Sequence, residues 1–257
     1  MEDKTSLEDT LSLMRDLRAR CDWDAAQTHE SLRPYLIEEA YEVDDAIRAG
    51  NDKLLREELG DLLLQILFHS VIAEERGAFT MHDVAAGFIA KMKARHPHLY
   101  GGGEKQHWEQ MKAKKRASIV DGLPADLPAL HRAYRLQDRA AGVGFDWPDV
   151  DGPIEKVEEE LREVRDELAV AASDGARTTA AADNEKVEEE IGDLLFAVVN
   201  LSRKAGVHPA LALDKANVKF ARRFGAVERL AAERGIKVGE ATLEQLDSLW
   251  DEIKKGE

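Results

Sequence analysis

The chain is poor in the features that several large classes of protein require. Its only cysteine is Cys21, so it can form no intramolecular disulfide and no cysteine-rich zinc site. No apolar run approaches the roughly 20 residues that cross a bilayer, and residues 1–4 are mostly charged. We therefore expect neither a membrane helix nor a signal peptide, and we expect a cytoplasmic protein.

Positive charge is also scarce. The 36 Lys and Arg residues are outnumbered by 51 Asp and Glu residues, which leaves a net charge of -15. Because nucleic-acid binding depends on cations that neutralise phosphates, we expect no DNA or RNA partner. Small anions such as nucleotides stay compatible with this charge, since a metal ion and a few local cations can override the average field at one site.

Two kinds of catalytic motif are missing as well. The sequence has no glycine-rich phosphate loop, and it has neither a GxSxG motif nor a catalytic cysteine arrangement. P-loop and acyl-enzyme chemistries are therefore not expected. Seven prolines, 6% aromatic residues and apolar residues spaced three and four apart predict helices nearly throughout, and hence an all-α fold.

The most informative pattern is a repeat, because the same landmarks occur twice in the same order. Each copy begins with an Asp-Trp pair, Asp22-Trp23 and then Asp146-Trp147. The acids that recur at matching spacing are Glu38, Glu39, Glu42, Glu58 and Asp61, then Glu159, Glu160, Glu163, Glu190 and Asp193. Downstream landmarks are Lys91, Arg95, Trp108 and Lys112, then Lys219, Arg223, Trp250 and Lys254.

Between the copies, residues 121–128 contain the Gly and Pro residues of a linker. We therefore predict two tandem domains, residues 1–121 and residues 122–257. A helix over 130–141 is predicted to open the second domain, as one over 7–18 opens the first. The second copy has an extra stretch, residues 171–183, which we predict to be a loop.

The repeated acids predict a metal site. Residues three apart lie on one helix face, so Glu39 with Glu42, and Glu58 with Asp61, each point two carboxylates in one direction. A short connection makes the two helices an antiparallel pair on which four carboxylates converge, and a divalent cation offsets their repulsion and desolvation. Oxygen ligands alone favour Mg²⁺ or Mn²⁺. The second copy repeats the set with Glu160, Glu163, Glu190 and Asp193.

The alternative is that these acids only coat solvated helix faces. Against it, Asp61 and Asp193 precede the apolar runs 62–64 and 194–199, which we expect to lie in buried helices. An acid at the start of a buried helix needs a partner. Gly60 and Gly192 each cost about 1 kcal/mol in a helix relative to Ala, which indicates close helix approach or room for a ligand.

Two further features point to phosphate and to a base. Lys219 and Arg223 lie one turn apart, which suits a polyphosphate, although with Arg222 they could also form a solvated basic stripe. Trp108 and Trp250 could stack on a base or pack in a core.

Four segments together carry a resemblance to a known family. Residues 27–35, 38–42, 58–61 and 95–101 resemble the MazG family of nucleoside triphosphate pyrophosphohydrolases, and the similarity extends over almost the whole chain. One departure is Asp22, which stands where the family has the proline of a Cys-Pro-Trp motif.

The resemblance implies tandem four-helix-bundle-like domains related to dimeric all-α dUTPases, and a homodimer. It implies Mg²⁺-dependent cleavage between the α and β phosphates, which yields a nucleoside monophosphate and pyrophosphate for housecleaning of the nucleotide pool. It implies metal ligands at Glu160, Glu163, Glu190 and Asp193. Nucleotide contacts are implied for Lys156, Glu159, Lys186, Glu189, Lys219, Arg222, Arg223 and Trp250.

The two copies are not equivalent. Aligned on the acids, Lys156 matches Tyr35 and Lys186 matches Leu54, so the first copy lacks two cations. We therefore expect the second domain to be the main catalyst. Its candidate catalytic residues are Glu159, Glu160, Glu163, Glu190, Asp193, Lys219 and Arg223, with Glu159 or Glu189 orienting or deprotonating the attacking water.

Two other readings compete with this one. A di-iron carboxylate bundle also gathers acids from several helices, but that class uses Glu-x-x-His pairs where this chain has Asp. The other reading is a non-catalytic bundle that senses nucleotides or binds a partner through its acids. Such a bundle does not need cations at the positions of Lys219 and Arg223.

Overall fold

The computed structural model describes residues 6–102, 118–173 and 185–256. Every regular element in these ranges is a helix, so the all-α prediction is confirmed. The chain divides into two compact units, Met1–Lys105 and Gln106–Glu257, called here the first and the second unit. None of the described helices combines the length and apolar character needed to cross a membrane.

Six described helices form the first unit, and most of them begin with a side-chain cap. Ser6, Thr28 and Thr80 each accept a hydrogen bond from a backbone N–H three residues on, and the residue there caps the N-cap backbone in return. These signals set the helix starts. The helices are α1 (Leu7–Arg20), α2 (Asp22–Ala26), α3 (His29–Ala49), α4 (Asp52–Glu75), α5 (Met81–Arg95) and α6 (Pro97–Tyr100).

Helices α3 and α4 form a tight hairpin. Gly50 ends α3 with φ 60°, the left-handed conformation that glycine adopts without strain. Asn51 then caps α4 by accepting hydrogen bonds from the backbone N–H groups of Lys53 and Leu54. Because only two residues separate the helices, they run antiparallel, as the repeat of acids predicts.

The core of the first unit lies where α1 and the start of α3 pack on the second half of α4. Its buried members are Leu11, Met14, Leu32, Leu67, Phe68, Val71 and Ile72. At its edge, Arg15 and Arg18 on α1 pair with Glu74 and Glu75 at the end of α4, at 3.0 and 2.5 Å. The apolar contacts therefore leave the first half of α4, which carries the acids, outside this core.

The second unit contains five described helices. They are α7 (Ala129–Gly142), α8 (Asp151–Ser173), α9 (Glu185–Lys204), α10 (Pro209–Glu233) and α11 (Leu243–Lys255). Helix α9 packs against both α8 and α7, and α10 packs against α11 around the buried Val227, Ala231 and Leu249. The predicted helix over 130–141 is confirmed, with one more residue at each end.

Two boundaries differ from the sequence predictions. Arg139 on α7 donates hydrogen bonds to the carbonyl oxygens of Ile119 and Asp121, at 2.7 and 3.0 Å, so residues 119–121 pack with the second unit. The boundary between the units therefore lies before the predicted one. Helix α8 runs to Ser173, so a loop starting at Ala171 is wrong for its first three residues, and residues 174–183 lie outside the described ranges.

The helices that carry the acids are not buried on all sides, which corrects a second expectation. Leu64 on α4 is 38% exposed, and Leu195, Phe196 and Val198 on α9 are 41–54% exposed. The physical reason is that each acidic hairpin is covered on one face only by the described helices of its own unit. A wide apolar surface is left uncovered on α3, α4, α8 and α9.

Candidate active site

In the first unit, the predicted carboxylates come together across the α3–α4 hairpin. Glu39, Glu58 and Asp61 each offer an oxygen within 4.8 Å of the others. Glu42 is among the neighbouring acids that raise the pKa of Glu39 and of Glu58. Burial, and then the charges of the neighbouring acids, raise the pKa of Glu39 and of Glu58. A bound cation would therefore stabilise this cluster, because its positive charge would offset the repulsion between the carboxylates.

The second unit repeats this arrangement between α8 and α9. Glu160, Glu190 and Asp193 have oxygens within 4.8 Å of one another, and so do Glu159, Glu160 and Glu163. Burial and the charge of Glu160 raise the pKa of Glu163, and burial, Glu160 and Asp193 raise the pKa of Glu190. Glu160 links the two groups and is 4% exposed.

A lysine distinguishes the second cluster from the first. Lys156, one turn before Glu160 on α8, lies 2.5 Å from Glu160 and 3.0 Å from Glu159. These two hydrogen bonds raise the pKa of the Lys156 ammonium. The matching position in the first unit is Tyr35, which is 43% exposed. The second cluster thus includes the positively charged side chain of Lys156.

Both clusters fit a hard divalent cation in their donor atoms. Every donor is a carboxylate oxygen, and Asp61, Glu159, Glu163 and Asp193 are exposed, so water and a phosphate can complete a coordination shell. The acids are thus mostly accessible to solvent, although the apolar runs after Asp61 and Asp193 predicted buried helices. Among the acids of the second cluster only Glu160 is buried, and Lys156 offsets its charge.

The glycines between the acids leave open space. A Cβ placed at Gly60 or Gly192 meets nothing within 4 Å. Close helix approach is therefore not the reason for glycine at either position among the described residues. Room beside the carboxylates is the remaining explanation of the two that the sequence suggests.

The other predicted nucleotide contacts lie elsewhere on the second unit. Lys186 and Glu189 are exposed on α9, next to Glu190 in sequence. Lys219, Arg222 and Arg223 lie on α10, and Trp250 lies on α11. The Arg223 guanidinium is 5.9 Å from the centre of the Trp250 ring, and Trp250 itself packs against the small core around Leu249.

The downstream landmarks of the first copy are described only in part. Lys91 and Arg95 lie on the last turns of α5. Trp108 and Lys112 lie outside the described residues.

A cavity of about 530 Å³ opens beside the second cluster. Lys156, Glu160 and Asp193 form part of its wall, whereas Lys219, Arg223 and Trp250 do not contribute to it. The rest of its lining is mainly apolar or aromatic, and comprises Ile119, Leu136, Gln137, Ala140, Phe145, Trp147, Pro153, Phe196, Ala197, Asn200 and Arg203. Sequence reasoning missed this cavity, although Trp147 was visible as a repeated landmark.

Comparisons with known proteins agree with this architecture. A family model described as the MazG nucleotide pyrophosphohydrolase domain matches residues 27–100, within the first unit. Over 259 residues the chain is 45% identical to the "Nucleoside triphosphate pyrophosphohydrolase/pyrophosphatase MazG" of Thermotoga maritima, covering 97% of this chain and 96% of that protein.

Two further relatives are also similar over most of this chain. The "Nucleoside triphosphate pyrophosphohydrolase" of Escherichia coli K12 is 42% identical, over 95% of this chain and 94% of its own length. The "Uncharacterized protein YabN" of Bacillus subtilis is 40% identical, over 96% of this chain and 51% of its own length. The chain therefore belongs to the MazG family.

The geometry of the second cluster generates a prediction about metal binding. Adding Mg²⁺ to chelator-treated protein should raise its melting temperature, because an ion bound only by the folded state stabilises it, by about 2.7 kcal/mol at 100 times its Kd. In Glu190→Gln, the rise should shrink while the metal-free melting temperature stays level or increases, since one of the repelling charges is gone.

The matched control is Asp166→Asn, which removes an exposed acid of α8 outside the cluster. It should keep the full Mg²⁺-induced rise. Differential scanning calorimetry measures all three proteins. An unchanged rise in Glu190→Gln, or a rise lost equally in both variants, contradicts a metal role for the cluster.

Proposed function

We propose that the protein hydrolyses nucleoside triphosphates to nucleoside monophosphate and pyrophosphate with Mg²⁺ as cofactor, and that the second unit is the main catalyst. The names of the relatives from T. maritima and E. coli support the reaction. The observation that carries the proposal is the convergence of Glu160, Glu190 and Asp193 beside Lys156, next to a cavity. The proposed role is housecleaning of the nucleotide pool in the cytoplasm.

The residues that would hold Mg²⁺, or Mn²⁺ as a substitute, are Glu160, Glu163, Glu190 and Asp193. When bound, the ion supplies charge neutralisation at the phosphates and lowers the pKa of a coordinated water. The first unit offers the corresponding set, Glu39, Glu42, Glu58 and Asp61.

Side chains of the protein orient the substrate and accept the proton of the attacking water. Lys156 is already held at the cluster and presents an ammonium to a phosphate oxygen. Glu159 is the better placed of the two candidate bases, because its carboxylate belongs to the Glu159–Glu160–Glu163 group. Lys219 and Arg223 stay the proposed partners of the departing pyrophosphate, supported by the family resemblance.

Product analysis tests the reaction. Purified protein should convert nucleoside triphosphates to monophosphate and pyrophosphate only with Mg²⁺, and anion-exchange chromatography separates these products from diphosphate and phosphate. Diphosphate with phosphate would refute the assigned bond. Binding without any turnover would favour the alternative, a nucleotide-sensing or partner-binding bundle.

The same assay compares the two candidate bases. Glu159→Gln should lower kcat on the order of 100-fold or more, as expected when a group that moves a proton is removed. Glu189→Gln should change kcat little. The reverse ranking would assign the proton transfer to Glu189.

The difference between the units gives a second test. Lys156→Tyr with Lys186→Leu places the residues of the first copy in the second, and kcat/KM should fall about 100-fold because two cations near the phosphates are lost. Lys237→Tyr, which replaces an exposed lysine paired with Glu240, serves as control. Full activity in the double variant would contradict the proposal that these two cations make the second unit the main catalyst.

We also propose a homodimer, supported by the uncovered apolar surface of the acidic hairpins. On α3 and α4 this surface includes an open groove of about 460 Å³ lined by Leu36, Ile37, Ala40, Tyr41, Asp44 and Leu62. Exposed apolar patches of this kind mark association surfaces.

Light scattering should give twice the chain mass for the unchanged protein and the single-chain mass for Ile37→Asp, because a carboxylate buried in an apolar interface is strongly unfavourable. Leu7→Asp changes a leucine at the start of α1 that is more exposed than Ile37, 74% against 56%, and this variant should remain dimeric. A monomer before any substitution would refute the proposal.

A further inference from the structure

The first unit contains a contact between two imidazole rings that the proposed function does not use. His29 is the first residue of α3, and His69 lies in the second half of α4. We propose that these two histidines form an acid-sensitive latch, in which a hydrogen bond between the neutral rings holds the start of α3 against α4 and uptake of a proton by the pair releases it. The latch does not depend on the proposed reaction.

The two rings meet nitrogen to nitrogen. Nδ1 of His29 lies 2.8 Å from Nδ1 of His69, which is within hydrogen-bond distance. The ring planes are inclined by only 12° and the ring centres lie 5.1 Å apart, so the facing nitrogens lie close to the line that joins the centres. The rings are therefore nearly coplanar and end to end, as a straight N–H···N hydrogen bond requires.

The direction of this hydrogen bond follows from the burial of the second nitrogen of His69. A neutral imidazole carries hydrogen on one ring nitrogen and a lone pair on the other, so one Nδ1 donates and the other accepts. Nε2 of His69 is buried and has no hydrogen-bond partner among the described residues. A hydrogen on Nε2 would be an unsatisfied buried donor, whereas a hydrogen on Nδ1 is used in the contact. We therefore assign His69 as the donor and His29 as the acceptor.

An additional proton disturbs the pair at either ring. Protonation of His29 at Nδ1 sets two N–H groups against each other at 2.8 Å and leaves no acceptor between them. Protonation of His69 at Nε2 puts a positive charge on a half-buried ring, at a nitrogen without a partner. In agreement, burial and then the charge of His29 lower the pKa of His69. The closed contact therefore favours the neutral pair.

Other charged groups on the helices packed against α4 have partners of their own. These pairs are Arg15 of α1 with Glu74, Arg18 of α1 with Glu75, Glu30 of α3 with Arg33, and Asp83 of α5 with the cap residue Thr80. His29 is the charged neighbour that contributes to the lowered pKa of His69. The response to acid is therefore assigned to the two imidazoles.

The second unit differs at the matching positions. Counted from the paired acids, Val150 stands where the first unit has His29, and Leu201 stands where it has His69. The imidazole contact of the second unit joins other elements, since His131 lies on α7 and His208 is the N-cap of α10, and their rings are inclined by 51°. The latch thus gives the α3–α4 hairpin, which carries the first acidic cluster, a response to acid that the α8–α9 hairpin lacks.

Hydrogen exchange of the full chain tests the latch. Because the closed state lowers the pKa of His69, the opened state binds the additional proton more tightly, and opening becomes more favourable as the pH falls below the ordinary histidine value of 6.5. After correction for intrinsic rates, amides 32–37 of α3 should lose protection between about pH 7.5 and about pH 5.5, by up to about tenfold per pH unit. The amides at the start of α8 serve as the internal reference and should not change.

Two substitutions of His69 separate the latch from simple packing. His69→Asn keeps an N–H donor near the position of Nδ1 but takes up no proton, so α3 should stay protected at both pH values. His69→Leu removes both the donor and the titration, so protection should be reduced at both pH values. The matched control is His82→Asn, which removes an exposed histidine of α5 and should keep the full response to pH.

Nitrogen NMR of the imidazoles tests the contact without reference to stability. At neutral pH the signals should show His69 protonated at Nδ1, and the two rings should titrate in coupled steps, the first of which coincides with the loss of α3 protection. Independent titration of the two rings near the ordinary value overturns the latch. Equal protection of α3 at both pH values in the unchanged protein also overturns it, as does an unaltered response to pH in His69→Asn.

Discussion

The repulsion between carboxylates on two neighbouring helices is the constraint around which each unit is organised. Glu39, Glu58 and Asp61 in the first unit, and Glu160, Glu190 and Asp193 in the second, are brought within 4.8 Å of one another. The raised pKa values of Glu39, Glu58, Glu163 and Glu190 express the cost of this arrangement. Repulsion of this kind is tolerated at sites where a bound ligand offsets it. Three or four carboxylate donors suit a hard cation that also binds phosphate.

The residues that surround the acidic cluster differ between the two units. The second unit adds Lys156 at the cluster and keeps a cavity beside it, with the Asp146–Arg203–Asn200 chain of contacts at its edge. The first unit fills the matching region with Phe68 and its apolar neighbours. The two copies thus share the charge pattern, but the second unit has a cavity where the first has a packed core. The difference supports unequal roles for the two units.

Much of the candidate site was predictable because it depends on short-range geometry. The i, i+3 spacing of the acids, the helix starts and the hairpin that joins α3 to α4 all follow from residues close in sequence. Predictions that depended on what surrounds a helix were less successful. The runs that follow Asp61 and Asp193 are half exposed, and the space at Gly60 and Gly192 is open, because only one face of each hairpin is covered by the unit's own described helices.

The sequence by itself determined the helical class, the duplication, the family and the identity of the clustered acids, since helical periodicity and repeated spacing are local properties of the chain. Only the tertiary structure decided that Asp146 pairs with Arg203 and Lys204, and that residues of α7, α8 and α9 line one cavity beside the acidic cluster. These residues are brought together from separate segments by the packing of α7, α8 and α9. A cavity is the space those helices leave between them, and neither spacing nor composition encodes that space.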